Sequence, residues 1–178
     1  LVGCVVCNVE TVLNLYRKVT YGTNVVTKFV TIAGLVKKPV TVEVPVGVSV
    51  QELIDMAGGF STEENVMLMG GPMTGRICSL NDVVTKTTKA ILVLPPNCPP
   101  IEKRRRKPNR NIRNAMSVCS QCSMCTMLCP RHLLGQSIEP HVFMRAIANG
   151  LTDNVEPFLN SFFCCSCGLC EMYSCHQD

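Results

Sequence analysis

The stretch CSQCSMCTMLCP, residues 119–130, is a ladder of four cysteines spaced C-x2-C-x2-C-x3-C and closed by a proline. A second ladder follows at Cys164, Cys167, Cys170 and Cys175, spaced C-x2-C-x2-C-x4-C. Together they take eight of the chain's 13 cysteines. A cuboidal 4Fe-4S cluster needs four thiolates on four iron corners, and a loop with cysteines at steps of three supplies three of them. In two-cluster ferredoxins the cysteine before the proline serves the other cluster. The expected ligand sets are therefore Cys119, Cys122, Cys125 and Cys175 for one cluster, and Cys164, Cys167, Cys170 and Cys129 for the other. Zinc ribbons use pairs rather than triplets of cysteines, and disulfides need an oxidising compartment for which no secretory signal is visible, so both fit less well.

The residues between the ligands agree with clusters. Met124, Met127, Leu128, Leu169 and Met172 are expected to shield the sulfurs, and such burial helps set a reduction potential. Gly168 lets the backbone approach closely, and Pro130 suits the first turn of a helix. His176 stands where a second proline would be usual. The other cysteines, Cys4, Cys7, Cys78, Cys98 and Cys165, read mainly as small buried hydrophobes, and Cys165 could compete with Cys164 beside it. His132, His141 and His176 read as surface or capping residues rather than ligands.

Working outward, the 178 residues hold one or two small domains, with 47% hydrophobic content but only 5% aromatics and no tryptophan. No apolar run of about 18 residues is present, so no membrane span is expected. The net charge of +4 is concentrated in Lys103, Arg104, Arg105, Arg106, Lys107, Arg110 and Arg113. Prolines surround this cluster and no aromatic accompanies it for base stacking, which argues against nucleic acid. It reads as a solvated linker over 97–113, or as a docking patch for an acidic electron-transfer partner.

Ahead of that linker the fold class is α+β. Residues 1–24 read as a strand, a turn at Cys7-Asn8, and a helix from Val9 to about Val19 with the apolar stripe Val12, Leu15, Tyr16 and Val19. Asn8 is a good N-cap and Glu10 an acid in the first turn. This piece has no sheet of its own to pack on, and the chain opens on leucine, so it reads as the end of a truncated domain. Residues 25–96 give strands at Phe29 to Val36 and Val40 to Val46, a helix at Val50 to Ala57 capped by Ser49 and Glu52, and strands at Val66 to Met69 and Ala90 to Leu94. Two strands, a helix and returning strands describe a β-grasp arrangement. The glycine-rich stretch 70–76 is either a tight turn or a ligand contact, and lacks the ending of a phosphate-binding Walker loop. Residues 114–178 hold the ladders, as a helical two-cluster ferredoxin-like domain with an inserted helix from Pro140 to Asn149.

NVET at 8–11, GGPMTGR at 70–76, VTKTTKAILVLP at 84–95 and CSQCSMCTMLCPRHLLGQSIEPH at 119–141 together resemble one family. It comprises the cobalamin reductases of propanediol-utilising bacterial microcompartments and, more broadly, the C subunits of the Rnf electron-transport complex. The resemblance implies an upstream domain binding NADH and FMN, of which 1–24 is the C-terminal piece. A soluble-ligand-binding (SLBB) β-grasp domain over 25–96 and two 4Fe-4S clusters would follow. It places Asn8, Glu10 and Thr11 at the edge of the flavin pocket. The family's glycine-rich NADH and FMN loops are absent here, so this chain alone is not expected to oxidise NADH. The implied function is electron transfer from reduced flavin through the clusters to an acceptor, with cobalamin or its adenosyltransferase as partner. The implied setting is the cytoplasm, inside a microcompartment. The alternatives are an Rnf-type membrane-associated subunit, and a cobalamin- or partner-binding module whose clusters are structural.

Overall fold

The computed structural model describes residues 3–151 and 153–174. The chain divides into two compact units, Leu1–Arg104 and Arg105–Asp178. The first contains α1 (Val9–Tyr21), β1 (Thr27–Gly34), β2 (Val40–Pro45), α2 (Val50–Met56), β3 (Val66–Met69), β4 (Arg76–Cys78), β5 (Ala90–Leu94) and nearly all of α3 (Pro99–Arg105).

The five strands form one mixed sheet in the order β2-β1-β5-β3-β4, with β1 and β5 parallel and the other pairs antiparallel. In β1, Lys28, Val30 and Ile32 face inward while Phe29 and Thr31 face out, the two-residue period of a strand covered on one side. Val30, Ile32, Val44, Leu53, Ile54 and Ile91 build the core, with α2 contributing its apolar stripe. The start of α2 is set locally. Ser49 Oγ accepts from Glu52 N–H at 3.2 Å and donates to the Glu52 carboxylate at 2.9 Å.

Two glycines hold the sheet together where no side chain fits. Gly34 ends β1 at φ +97°, and a Cβ there would lie 2.0 Å from the Val93 carbonyl oxygen. In the stretch 70–76, a Cβ on Gly75 would lie 2.6 Å from the Gly71 oxygen. That stretch is the turn between β3 and β4, since Met69 pairs with Arg76. The guanidinium of Arg104 on α3 closes over it, donating to Gly75 O at 2.5 Å, Pro72 O at 2.8 Å and Pro100 O at 2.6 Å.

Several expectations need correction here. Residues 3–8 form no strand, and Val5 and Val6 are almost fully exposed. The three-residue β4 was not foreseen. The stretch 97–113, expected as a solvated linker, is largely helical: α3 has Ile101 completely buried, and α4 (Pro108–Val118) starts on its proline. Helix α1 does have a sheet to meet. Its polar residues Glu10, Asn14 and Arg17 are the half-buried ones, while Val9, Val12, Leu15, Tyr16 and Val19 stand in solvent. Glu10 pairs with the inward-facing Lys28 of β1, and Arg17 meets Glu43 of β2 at 3.4 Å across a more exposed gap. The usual amphipathic polarity is therefore inverted, and ion pairs rather than apolar burial hold α1 to the sheet.

Among its described residues the second unit's regular elements are helices: α4, then α5 (Met124–Met127), α6 (Pro130–Leu133), α7 (Pro140–Ala148), α8 (Glu156–Ser161) and α9 (Leu169–Tyr173). α7 is the central piece, packing on α4, α5 and α8, and Phe143 meets Phe158 edge-on at 5.7 Å. Gly150, at φ +64°, follows the Asn149 C-cap of α7 and turns the chain out of the helix.

Gly34→Ala is expected to cost about 2 kcal/mol or more, because the backbone conformation and the Val93 oxygen both exclude a methyl group. The urea midpoint of the first unit should fall accordingly. The Lys28 ammonium holds the Glu10 carboxyl below its usual value of 4.5, against the opposing effect of burial. Because the folded carboxyl is the stronger acid, this stabilisation is present above the ordinary carboxylate range and is lost as pH falls through the lowered value. Hydrogen exchange of α1 should quicken selectively in that acid window, and Glu10→Gln should produce the same loosening at neutral pH.

Candidate iron–sulfur centre

The first three rungs of the two ladders repeat each other in space as well as in sequence. Cys119, Cys122 and Cys125 recur 45 residues later as Cys164, Cys167 and Cys170. The backbone turns left-handed at the same two rungs of each. Gln121 and Ser166 have φ of 57° and 51°, and Ser123 and Gly168 have φ of 57° and 78°. Three of these four residues are not glycine, and for them the conformation costs energy unless the surroundings demand it. It curls the chain so that cysteines three apart can turn toward one point. A short helix starts just after the second left-handed residue of each ladder, α5 at Met124 and α9 at Leu169, and these two helices pack on each other.

Donors already point at the first sulfur of each ladder. Gln121 Nε2 lies 3.1 Å from Cys119 Sγ, and the Ser166 backbone N–H donates to Cys164 Sγ at 3.3 Å. Cys129 is buried and precedes Pro130 at the first position of α6, as expected. The thiol of Cys170 is pushed up to about 11, first by burial, then by Glu171 and by Cys125, Cys164 and Cys167. Its neighbours thus include both earlier rungs of its own ladder and one from the other. Among the described residues, however, no three His, Cys, Asp or Glu side chains close on a single metal-binding point. Thiols repel as they ionise, so a full set converges only around a cation. The donor set, all sulfur, and the matched curl of the two loops fit iron–sulfur clusters. Cys175 and His176 lie outside the described residues.

His132 and His141 behave as supports. His141 Nδ1 and Thr126 Oγ1 are 2.7 Å apart, and Thr126 Oγ1 also accepts from the His141 backbone N–H at 3.3 Å. Thr126 is buried between Cys125 and Cys129, so this pair fixes the first ladder to α7. His132 Nδ1 donates to Ile138 O at 3.0 Å. Neither interaction was foreseen; the signal available was a threonine inside the ladder and a histidine following Pro140 at the start of the next helix.

Other expected site residues fall differently. Met124, Met127 and Met172 are exposed, while Leu128 and Leu169 are half-buried. Cys78 is buried and its thiol is raised to about 11 by desolvation, with Asp82 adding to it, which makes it inert. Cys4, Cys7 and Cys165 are exposed rather than buried. Burial acts to raise the Cys165 thiol, but hydrogen bonds from Arg131 and Cys167 outweigh it and hold the group below the ordinary thiol range. At the other end of the chain, Asn8 Oδ1 accepts from Glu10 N–H at 3.1 Å as the N-cap of α1, Glu10 turns to Lys28, and Thr11 is exposed.

A mixed five-stranded sheet followed by a helical unit with two cysteine ladders defines a class of redox protein. Residues 29–77 match the SLBB domain and residues 118–178 match the 4Fe-4S dicluster domain. Within that class the chain is 41% identical over 175 residues to cobalamin reductase PduS of Salmonella typhimurium, a match covering 98% of this chain and 39% of that protein. The corresponding protein of Citrobacter freundii is 39% identical over the same span. The C subunit of the Na+-translocating ferredoxin:NAD+ oxidoreductase complex of Acetobacterium woodii is 37% identical over 94 residues, 52% of this chain and 21% of that protein. The resemblance read from the sequence is borne out, and this chain is a relative of both groups. It spans about two fifths of the length of the PduS proteins that it matches. No helix among the described residues is long and apolar enough to cross a membrane.

Thr126→Val should remove both bonds to His141 and lower stability by about 1–2 kcal/mol. The thermal midpoint of the iron-loaded protein should drop, while His141→Asn, which keeps a hydrogen-bonding side chain near the threonine, should lose less.

Proposed function

We propose that this chain is the downstream portion of a flavin- and iron–sulfur-dependent reductase, carrying electrons singly from a flavin held upstream to a one-electron acceptor. The observation that carries this reading is the matched pair of ladders, with the same left-handed rungs in each and the helix after one packed on the helix after the other. The proposed ligands are Cys119, Cys122, Cys125 and Cys175 for one cluster, and Cys164, Cys167, Cys170 and Cys129 for the other. Two 4Fe-4S clusters supply one-electron transfer, and flavin supplies the exchange between hydride and single electrons. The chain's own part is to wrap the clusters, aim Gln121 and the Ser166 N–H at the sulfurs, and hold the first loop through Thr126 and His141.

The sheet order β2-β1-β5-β3-β4, with parallel β1 and β5 and α2 in the crossover, supports the β-grasp reading of the first unit. The outward apolar stripe of α1 supports a flavin domain packed on that helix, with the NVET turn at the flavin's edge. In this reading Asn8 and Thr11 offer polar groups there, and Glu10 fixes the helix to the sheet. By likeness to the PduS proteins, the acceptor is an oxidised cobalamin or the enzyme that adenosylates it, inside a microcompartment. A second reading, a ligand-binding module, is favoured by an open cleft of about 410 Å3 floored by Phe60, Met67 and Leu80. It predicts cobalamin binding with clusters that do not cycle.

Anaerobic iron and sulfide analysis with EPR of the dithionite-reduced protein tests the proposal. About eight irons and the spectrum of two interacting reduced clusters are expected. Cys167→Ser should leave about four irons, whereas Cys165→Ser should keep the full number. Zinc in place of iron, or clusters that fail to oxidise and reduce, would sink the electron-transfer reading.

A further inference from the structure

We propose that the exposed cations on and just ahead of α4 form the docking surface for an acidic carrier protein that exchanges single electrons with the cluster beside Cys119. The proposal rests on the electron-transfer reading above and gives that reading a partner of defined chemistry. Arg105, Lys107, Arg110 and Arg113 are all exposed, and none forms an ion pair among the described residues. No acidic residue occurs between Arg105 and Arg113 to cancel them. Unpaired cations so concentrated attract an acidic surface and raise its encounter rate.

Their placement makes the patch more than a solubilising surface. α4 runs directly into the first ladder, with Cys119 as its C-cap. At a rise of about 1.5 Å per residue, Arg113 and Arg110 precede Cys119 by roughly 9 and 14 Å along the helix. The helix is not free to swing, because it packs on α7 with Ala115 buried. A protein seated on these arginines would therefore hold its own cofactor close to the first cluster. One electron passes between the two centres, one being oxidised and the other reduced, with no bond made or broken. A nucleic acid would also welcome the cations, but residues 95–118 contain no Phe, Tyr or Trp on which bases could stack.

The test uses the iron-loaded chain and flavodoxin, an acidic FMN protein, as the probe carrier. Association rates are measured at low and moderate ionic strength for the parent, for the double variant Arg110→Glu and Arg113→Glu, and for the control Lys37→Glu and Lys86→Glu. The control carries the same net charge on exposed residues of the first unit. The arginine variant should bind about tenfold more slowly at low salt and lose most of its salt dependence. Its iron content and visible absorption should match the parent, and the control should associate at close to the parent rate. Equal slowing by both pairs, salt-independent association, or tighter capture by single-stranded RNA or anionic vesicles than by flavodoxin would overturn the proposal. Failure to load iron would overturn both it and the electron-transfer reading, whereas full iron with unaltered rates sinks the docking surface alone.

Discussion

Thiolates brought together repel, and the strongest offset to that repulsion is positive charge placed between them. The elevated Cys170 thiol records the cost, since burial and three neighbouring cysteines all oppose its ionisation. In the proposed assignment, a cationic iron core would turn the same crowding into a bond network, so that cluster binding and folding of the ladders would become one event. The helices of this unit are correspondingly brief, from four residues in α5 to eleven in α4. Outside α7 and its aromatic pair with α8, the unit offers little apolar burial. Several of its large side chains, Phe162 among them, face solvent.

The first unit rests on the opposite economy. Its sheet and α2 close over a conventional core of Val, Ile and Leu, and local capping agrees with the global fold at Ser49 and Glu52. Here the glycine-rich turn is structural in its polarity. Two carbonyl oxygens of the turn, Pro72 O and Gly75 O, converge on Arg104, so the turn presents acceptors to a cation rather than N–H groups to a phosphate. The likeness to a phosphate loop in composition therefore does not extend to chemistry.

Where the sequence carried a local rule, the structure follows it. β3 and β5 fall on the residues expected, α2 ends one residue early at Met56, and α7 ends at Ala148, one residue before Asn149. The ladders were readable because ligand spacing is dictated by cluster geometry rather than by packing. What could not be read depended on tertiary partners. Residues 3–7 have the composition of a buried strand yet lie open, β4 is too short to show a period, and the basic stretch became helical once Ile101 found a buried site and Pro108 began α4. The inward turn of Glu10 was hidden for the same reason: only the fold reveals that Lys28 points toward the core.

The near-identical curl of the first three rungs of each ladder bears on how the two proposed clusters would share electrons. A scaffold that treats both halves alike gives neither a higher affinity for an electron by virtue of its backbone. Any gradient between them must be written in the few places where the halves differ. One is an amide side chain from Gln121 at the first sulfur against a main-chain N–H from Ser166 at its counterpart. Another is the neighbour that follows the last cysteine, Pro130 in one half and His176 in the other. Polarity in such a wire is a property of its substituents, so it can be inverted by point changes without rebuilding the fold.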